Sequence, residues 1–131
     1  MITYEQIRHH QDINTYIRKA DESLIALGFT EHSFAHVGLV AEKCRYILTT
    51  MGYSEREIEL GQIAAYLHDI GNLVNRIDHS QSGAVMAFRI LDKLGMDPRM
   101  RPWNSVLRRS NRSWPAHRYR ARCCGSPSDF P

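Results

Sequence analysis

The chain has 131 residues, 43% of them hydrophobic, which suits one domain with a sizeable core. Its net charge of +3 is unevenly placed: residues 1–98 hold nine Lys or Arg and thirteen Asp or Glu, while residues 99–131 hold eight Arg and one acid. The basic character therefore gives no reason to expect a nucleic-acid partner for the first part. No apolar run reaches the roughly 18 residues of a transmembrane helix, and the N-terminus has no signal-peptide pattern. A cytoplasmic protein without a membrane partner is expected, and the three cysteines agree with this location.

Apolar residues recur at the spacing of a helical face through the first part of the chain. The first predicted helix covers residues 4–27 and ends before Gly28, a C-cap candidate. The second covers about 33–51 and carries His36 beside its apolar face, where a lone histidine is more often a packed core residue than a ligand. The predicted buried faces of the two helices are Ile13, Tyr16, Ile17, Ala20, Leu24 and Leu27, and Val37, Val40, Ala41, Cys44, Ile47 and Leu48.

The third predicted helix covers about residues 55–70 and begins at a capping box formed by Ser54 and Glu57. Its second half is apolar almost all round, as is typical of a central buried helix. The strongly polar side chains in that half are His68 and Asp69, at the C-terminal end. A buried carboxylate is costly unless it is paired or binds a metal, and the C-terminus of a helix favours a bound cation. This position therefore indicates an ion site.

The fourth predicted helix covers about residues 80–94 and follows a polar loop, residues 72–80, that contains His79. Gly83 predicts close helix packing near that histidine. The predicted buried face is Ala84, Ala87, Ile90, Leu91 and Leu94. Because no segment alternates like a strand, the predicted fold is an all-α, compact bundle of four to five helices over residues 1–98.

Residues 99–131 differ from the rest of the chain in composition. They contain both tryptophans, four of the five prolines and no lysine, and they show no sustained helical periodicity. Such a composition is typical of a shifted reading frame in a GC-rich gene. We predict a separate, irregular tail that is frameshifted or disordered, and a basic nucleic-acid-binding arm is the alternative.

Four side chains lie at the borders or ends of three apolar helices, namely His36, His68, Asp69 and His79. Helices that share a core can collect them in one pocket. Imidazole and carboxylate ligands suit several divalent metals and define no single one. Neighbouring residues diverge by about 100° on a helix. His68 and Asp69 therefore reach one ion only at a helix end, which Gly71 is predicted to provide.

Three segments together resemble the HD-domain metal-dependent phosphohydrolase superfamily over about residues 32–97. They are His36-Val37-Gly38-Leu39-Val40-Ala41, Ala64-Ala65-Tyr66-Leu67-His68-Asp69-Ile70-Gly71 and His79-Ser80-Gln81-Ser82-Gly83-Ala84. The resemblance implies a divalent metal ion as cofactor (Mn, Fe, Co, Ni, Zn or Mg). It also implies hydrolysis of a phosphomonoester, nucleotide or cyclic nucleotide by metal-activated water. The expected partner is thus a phosphorylated small molecule or nucleotide.

By position, the resemblance makes His36, His68 and Asp69 metal ligands. It makes Asp69 and His79 the catalytic residues, because Asp69 would also position or deprotonate the attacking water. His79 would bind a second metal ion or contact the phosphate. His32 is the alternative first ligand, although the spacing to the following apolar pair fits His36 better.

Two departures from the family pattern bear on activity. Asn72 stands where the family usually has a lysine, which removes a cation that could contact phosphate. The family closes its site with an aspartate from a later helix, and after residue 97 the chain offers Asp129, within the predicted tail. The alternative function is therefore a non-catalytic HD-like module for nucleotide binding or signalling. A homo-oligomer is compatible with either function.

Overall fold

The computed structural model describes residues 1–29 and 34–100. Its helices are α1 (Tyr4–Arg8), α2 (Gln11–Ala26), α3 (Phe34–Thr50), α4 (Glu55–Leu67) and α5 (His79–Lys93), with short 3-10 helices at Ile70–Leu73 and Pro98–Met100. Over these two ranges all regular structure is helical, so the predicted all-α class is confirmed. The predicted residues His32 and Asp129, and the tail from residue 101, lie outside the described residues.

The first predicted helix is wrong in one respect, because two helices replace it. Ile7 on α1 and Ile13 on α2 are both fully buried. On one continuous helix their six-residue separation would place them about 120° apart around the axis. An extended backbone at His10, with φ of −74° and ψ of 123°, changes the chain direction so that both side chains enter the core. Tyr16 and Leu27, predicted as buried, are instead exposed.

The second and fourth predicted helices are confirmed as α3 and α5, although their buried faces are narrower than expected. Val37 and Ala41 of α3 are buried, whereas Ile47 is 54% exposed. In α5, Ala87 and Leu91 are fully buried, and the other residues of its predicted face are half-buried. α3 packs chiefly along α4, while α5 and α2 both pack against the 3-10 helix Ile70–Leu73. The residues after α4 are thus enclosed by neighbouring elements.

α4 is the central helix and starts as predicted. Ser54 and Glu57 form the capping box, with the Ser54 hydroxyl accepting from the Glu57 N–H and the Glu57 carboxylate accepting from the Ser54 N–H. The helix ends at Leu67, three residues earlier than expected. His68 and Asp69 therefore lie in the short turn between α4 and the 3-10 helix. Gly71 does not end α4; it lies inside the 3-10 helix.

Polar contacts attach the N-terminal helices to α4. Arg56 Nη1 donates to the Ile2 carbonyl oxygen at 2.8 Å, and the Tyr4 N–H donates to Glu59 Oε1 at 3.0 Å. The Tyr66 hydroxyl donates to Asn14 Oδ1 on α2, also at 3.0 Å. These bonds hold α1 and α2 over the apolar core. Among the described helices, none has both the length and the hydropathy that a membrane span requires.

Candidate metal centre

Three histidines converge on the carboxylate of Asp69. His68 Nε2 lies 2.9 Å from Asp69 Oδ2, His36 Nε2 lies 3.6 Å from the same oxygen, and His79 Nε2 lies 3.5 Å from Oδ1. The side chain of Asp69 is 7% exposed, and those of the three histidines are 19–28% exposed. The structure therefore brings together all four side chains that the sequence singled out, with the carboxylate buried and the three imidazoles partly exposed.

Each side chain comes from a different position in the helical framework. His36 is the third residue of α3, and His79 is the first residue of α5. His68 and Asp69 follow α4, where the backbone has left the α-helix: Asp69 has φ of −102° and ψ of 4°. This local geometry lets two sequence neighbours point into one pocket. The expected departure from helical geometry at these two residues is therefore present, although α4 ends at Leu67 and not at Gly71.

Two glycines let the chain after α4 pack closely against α5. A Cβ atom at Gly71 would overlap the carbonyl oxygen of His79 and the backbone nitrogen of Gly83. A Cβ atom at Gly83 would lie 3.2 Å from the Gly71 nitrogen. The packing near His79 that Gly83 predicted is therefore present. Asp78, just before α5, adopts the left-handed conformation with φ of 60°, which turns the chain into His79.

The ring nitrogens of His68 face acceptors on both sides, whereas Nδ1 of His79 lies near both a carbonyl acceptor and the guanidinium donor of Arg76. His68 Nδ1 lies 2.6 Å from the Ala65 carbonyl oxygen, and His79 Nδ1 lies 3.0 Å from the Arg76 carbonyl oxygen. An Nδ1–H that donates to a carbonyl leaves the Nε2 lone pair directed at the carboxylate of Asp69. That arrangement needs either a second proton on the ring or a cation between nitrogen and oxygen. Backbone carbonyls that fix Nδ1–H in this way are typical of metal-binding histidines.

The carboxylate and the imidazoles alter each other's protonation. Burial alone would raise the pKa of Asp69, but hydrogen bonds from His68 and His79, together with their charge, hold that pKa well below its ordinary range. Burial alone would lower the pKa of His68, but the hydrogen bond and charge of Asp69 raise that pKa above its ordinary value. Asp69 is therefore an anion at neutral pH and can neutralise a bound cation.

The donor set fits a divalent metal ion. Ligand atoms of His36, His68 and Asp69 all lie within 4.8 Å of one another. His79 extends the set by a third imidazole on the other carboxylate oxygen. Three charged imidazoles around one carboxylate would repel each other, whereas one divalent ion could replace their protons. Nitrogen and carboxylate donors suit Mn, Fe, Co, Ni or Zn better than Mg, which prefers an all-oxygen shell.

Two residues at the site were not assigned a role there from the sequence. Asn72 is 4% exposed and donates from Nδ2 to the Asp69 carbonyl oxygen at 3.0 Å. Arg76 contacts both Asn72 and His79 through Nη1, each at 3.4 Å. In the sequence, the one sign of their involvement is that both are polar and lie between the candidate ligands Asp69 and His79. Asp92 and Asp97, by contrast, are exposed.

Comparisons with known proteins bear on the family of the chain. The sequence model of the family described as HD domain matches residues 31–122. The chain is also similar to an uncharacterised protein, MJ1020, of Methanocaldococcus jannaschii, with 24% identity over 106 residues. That match covers 70% of this chain and 41% of the relative, so this chain spans less than half of the relative's length. No solved structure matches the chain.

Proposed function

The chain belongs to the HD domain family, and from that membership and the site we propose that it is a metal-dependent phosphohydrolase. We propose as substrate a phosphomonoester, nucleotide or cyclic nucleotide. The observation that carries the proposal is the convergence of three histidine Nε2 atoms on the buried carboxylate of Asp69. A divalent ion held there by His36, His68 and Asp69 would supply Lewis acidity towards water and a phosphoryl oxygen.

Asp69 and His79 are proposed to carry out the steps that the metal ion does not. Asp69 stays ionised because its pKa is held low, so its carboxylate can neutralise a bound cation and orient a water molecule, although the same low pKa makes it a weak base. His79 is fixed by its Nδ1 contact to the Arg76 carbonyl oxygen, which aims Nε2 into the pocket, either as a further ligand or towards the phosphate. The low exposure of Asp69 restricts bulk water around the reacting group.

The proposal is tested by phosphate release. Protein loaded with Mn²⁺, Co²⁺ or Ni²⁺ is incubated with a panel of nucleotides, sugar phosphates and cyclic nucleotides, and inorganic phosphate is measured, after a phosphatase step for the cyclic substrates. Asp69→Asn and His68→Ala are expected to lower activity by more than about 100-fold, since loss of a ligand exceeds the usual effect of an outer-shell change. The matched control Asp92→Asn removes an exposed carboxylate of α5 and should retain activity.

A non-catalytic nucleotide-binding module is the second candidate. It is favoured by Asn72, which stands where the family usually has a lysine, and by the single carboxylate, that of Asp69, in the ligand cluster of residues 1–29 and 34–100. Metal-loaded protein that binds a nucleotide in calorimetry but hydrolyses no member of the panel would reject the enzyme and support the module.

A further inference from the structure

A pocket adjoins the candidate metal centre on the side of α2. Asp69 belongs both to the ligand cluster and to the lining of this pocket. Val37, which follows the ligand His36 on α3, lines it as well. The pocket encloses about 250 Å³ of space not filled by atoms, including its open mouth. A molecule held at the metal centre can therefore extend past Asp69 into this space.

One wall of the pocket is a face of α2. Four of its residues line the pocket at positions i, i+3, i+4 and i+7, which share one side of a helix: Ile17, Ala20, Asp21 and Leu24. Ala20 has the smallest side chain of all the lining residues, and it is only 5% exposed. Its methyl group leaves room in this wall, which a larger side chain at position 20 would take up.

The lining of the pocket suits an uncharged group. Aliphatic side chains and the ring of Tyr66 form most of it, and among the residues that the structure describes its charged members are Asp21 and Asp69. No described Lys, Arg or His side chain lines the pocket. An anionic group that moved here from water would lose its hydration without gaining a cationic partner, whereas an apolar group gains by leaving water.

We propose that this pocket binds the organic group next to the phosphoryl group of the substrate, and that Ala20 sets its size. The substrate is then a phosphomonoester whose adjoining carbon chain or ring is uncharged. Nucleoside di- and triphosphates are disfavoured, because their second phosphate would enter the apolar space. This inference rests on the proposed function and narrows its substrate class. Since α2 lies before the residues that the family model matches, 31–122, the selectivity belongs to this chain and not to the family pattern.

Alkylphosphonates test the pocket without hydrolysis, because a carbon–phosphorus bond replaces the ester bond. Calorimetry measures the binding of methyl-, propyl- and 2-carboxyethylphosphonate to the full chain loaded with Mn²⁺. Each buried methylene strengthens binding by up to about fourfold, so propylphosphonate should bind at least about fourfold more tightly than methylphosphonate. The 2-carboxyethyl compound has the same length with an anionic end, and it should show no such gain.

Two variants alter the size of the pocket. Ala20→Leu fills it and Ala20→Val fills part of it, so the preference for propylphosphonate should be lost in the first and reduced in the second. The KM for phosphomonoesters should rise in both, while the affinity for inorganic phosphate and the Mn²⁺ content stay unchanged. Ala26→Leu adds the same side chain at an exposed position of α2, and this matched control should keep the wild-type preference.

The outcomes separate the two proposals. Wild-type protein that binds the methyl and propyl compounds equally, or binds neither, rejects the pocket whatever the protein hydrolyses. A preference for propylphosphonate that survives in folded Ala20→Leu protein also rejects it. Wild-type protein that shows the preference but hydrolyses nothing on the panel rejects the proposed hydrolysis and supports the pocket as a binding site. If Ala20→Leu does not fold, Ala20→Val decides by the same measurements.

Discussion

Protons and a divalent cation compete for the same Nε2 atoms around Asp69. In the protein without an ion, Asp69 raises the pKa of His68 above the ordinary value of 6.5, since the protonated ring pairs with the carboxylate. A metal ion needs the unprotonated Nε2 of that same ring. Metal binding at this site therefore displaces the proton of His68.

We predict that Mn²⁺ affinity rises with pH. Below the raised pKa of His68 the ring carries a proton that the ion must displace, so this ring alone should make the apparent Kd fall by up to about tenfold per pH unit. Above that pKa the dependence should flatten. Calorimetry between pH 6 and 8, in two buffers that differ in ionisation enthalpy, measures the affinity and the protons released. His9→Ala, an exposed ring on α1's C-terminal side, should leave the curve unchanged. An affinity that does not vary over this range would contradict the competition.

At this scale the sequence predicted the four converging side chains but not their neighbours. His68 and Asp69 could be selected because an apolar helix makes two polar residues conspicuous, and His36 and His79 because each borders an apolar face. Arg76 could not be selected, since its place depends on the left-handed turn at Asp78 and on packing against Phe29. Aspartate adopts positive φ more readily than most residues, but tertiary context decides whether a given aspartate does so.

The helices and the glycines between them determine how closely the two ligand-bearing segments approach. The 3-10 helix after α4 packs against the start of α5 with Gly71 and Gly83 in contact. Because His68 and Asp69 precede the first glycine and His79 lies on the second segment, this contact sets the separation of the ligands. A side chain at position 71 would have to displace the backbone of α5, which moves less readily than a flexible side chain does.

We predict that Gly71→Ala destabilises the fold and weakens metal binding. Its Cβ atom would overlap the His79 carbonyl oxygen, so α5 must shift, at a cost of about 1–3 kcal/mol in the free energy of unfolding. The matched control is Gly38→Ala on α3, where a Cβ atom meets nothing within 4 Å and helix propensity should add about 0.5–1 kcal/mol. Urea unfolding and Mn²⁺ titration measure both effects. Equal free energies of unfolding for Gly71→Ala and Gly38→Ala would show that the close approach of Gly71 to α5 does not contribute to stability.

Helix periodicity located three of the four predicted helices within a few residues, and it failed where a boundary had a tertiary cause. The capping box at Ser54 is a local signal and was predictable. The break at His10 was not, because the chain there carries neither glycine nor proline, and the break exists so that Ile7 and Ile13 can both enter the core. The early end of α4 was not predictable either, because neither Leu67 nor His68 is a helix-breaking residue. This end places His68 and Asp69 in the turn that forms the site.

In the whole molecule, one core joins the N-terminal helices to the elements that carry the site. The buried cluster includes Ile7 of α1, Ile13 and Ile17 of α2, Val37 of α3 and Leu67 of α4. The family match begins only at residue 31, so α1 and α2 lie before it. They nevertheless contribute buried side chains, and Tyr4 of α1 and Asn14 of α2 form hydrogen bonds to α4. The predicted domain boundary at residue 98 stays a prediction, although the family match continues to residue 122.

We predict that Ile7→Ala costs about 2–5 kcal/mol of unfolding free energy, because a fully buried isoleucine leaves a cavity between α1 and α4. Ile25→Ala is the matched control: this side chain of α2 is 54% exposed, and its loss should change stability by no more than about 0.5 kcal/mol. Chemical unfolding followed by circular dichroism distinguishes the two. Similar values for both variants would mean that the N-terminal helix is not an integral part of the core.

The order of the ligands along the chain has a consequence for folding. His68, Asp69 and His79 lie between positions 68 and 79, whereas His36 is 32 residues before His68. An unfolded chain can therefore chelate a cation with three ligands from one short segment, and it closes only a small loop in doing so. Binding to the unfolded state reduces the stabilisation that the ion provides. Bound metal should thus raise the unfolding free energy by less than the affinity of the native site implies, with His36 joining the ion last as the chain refolds.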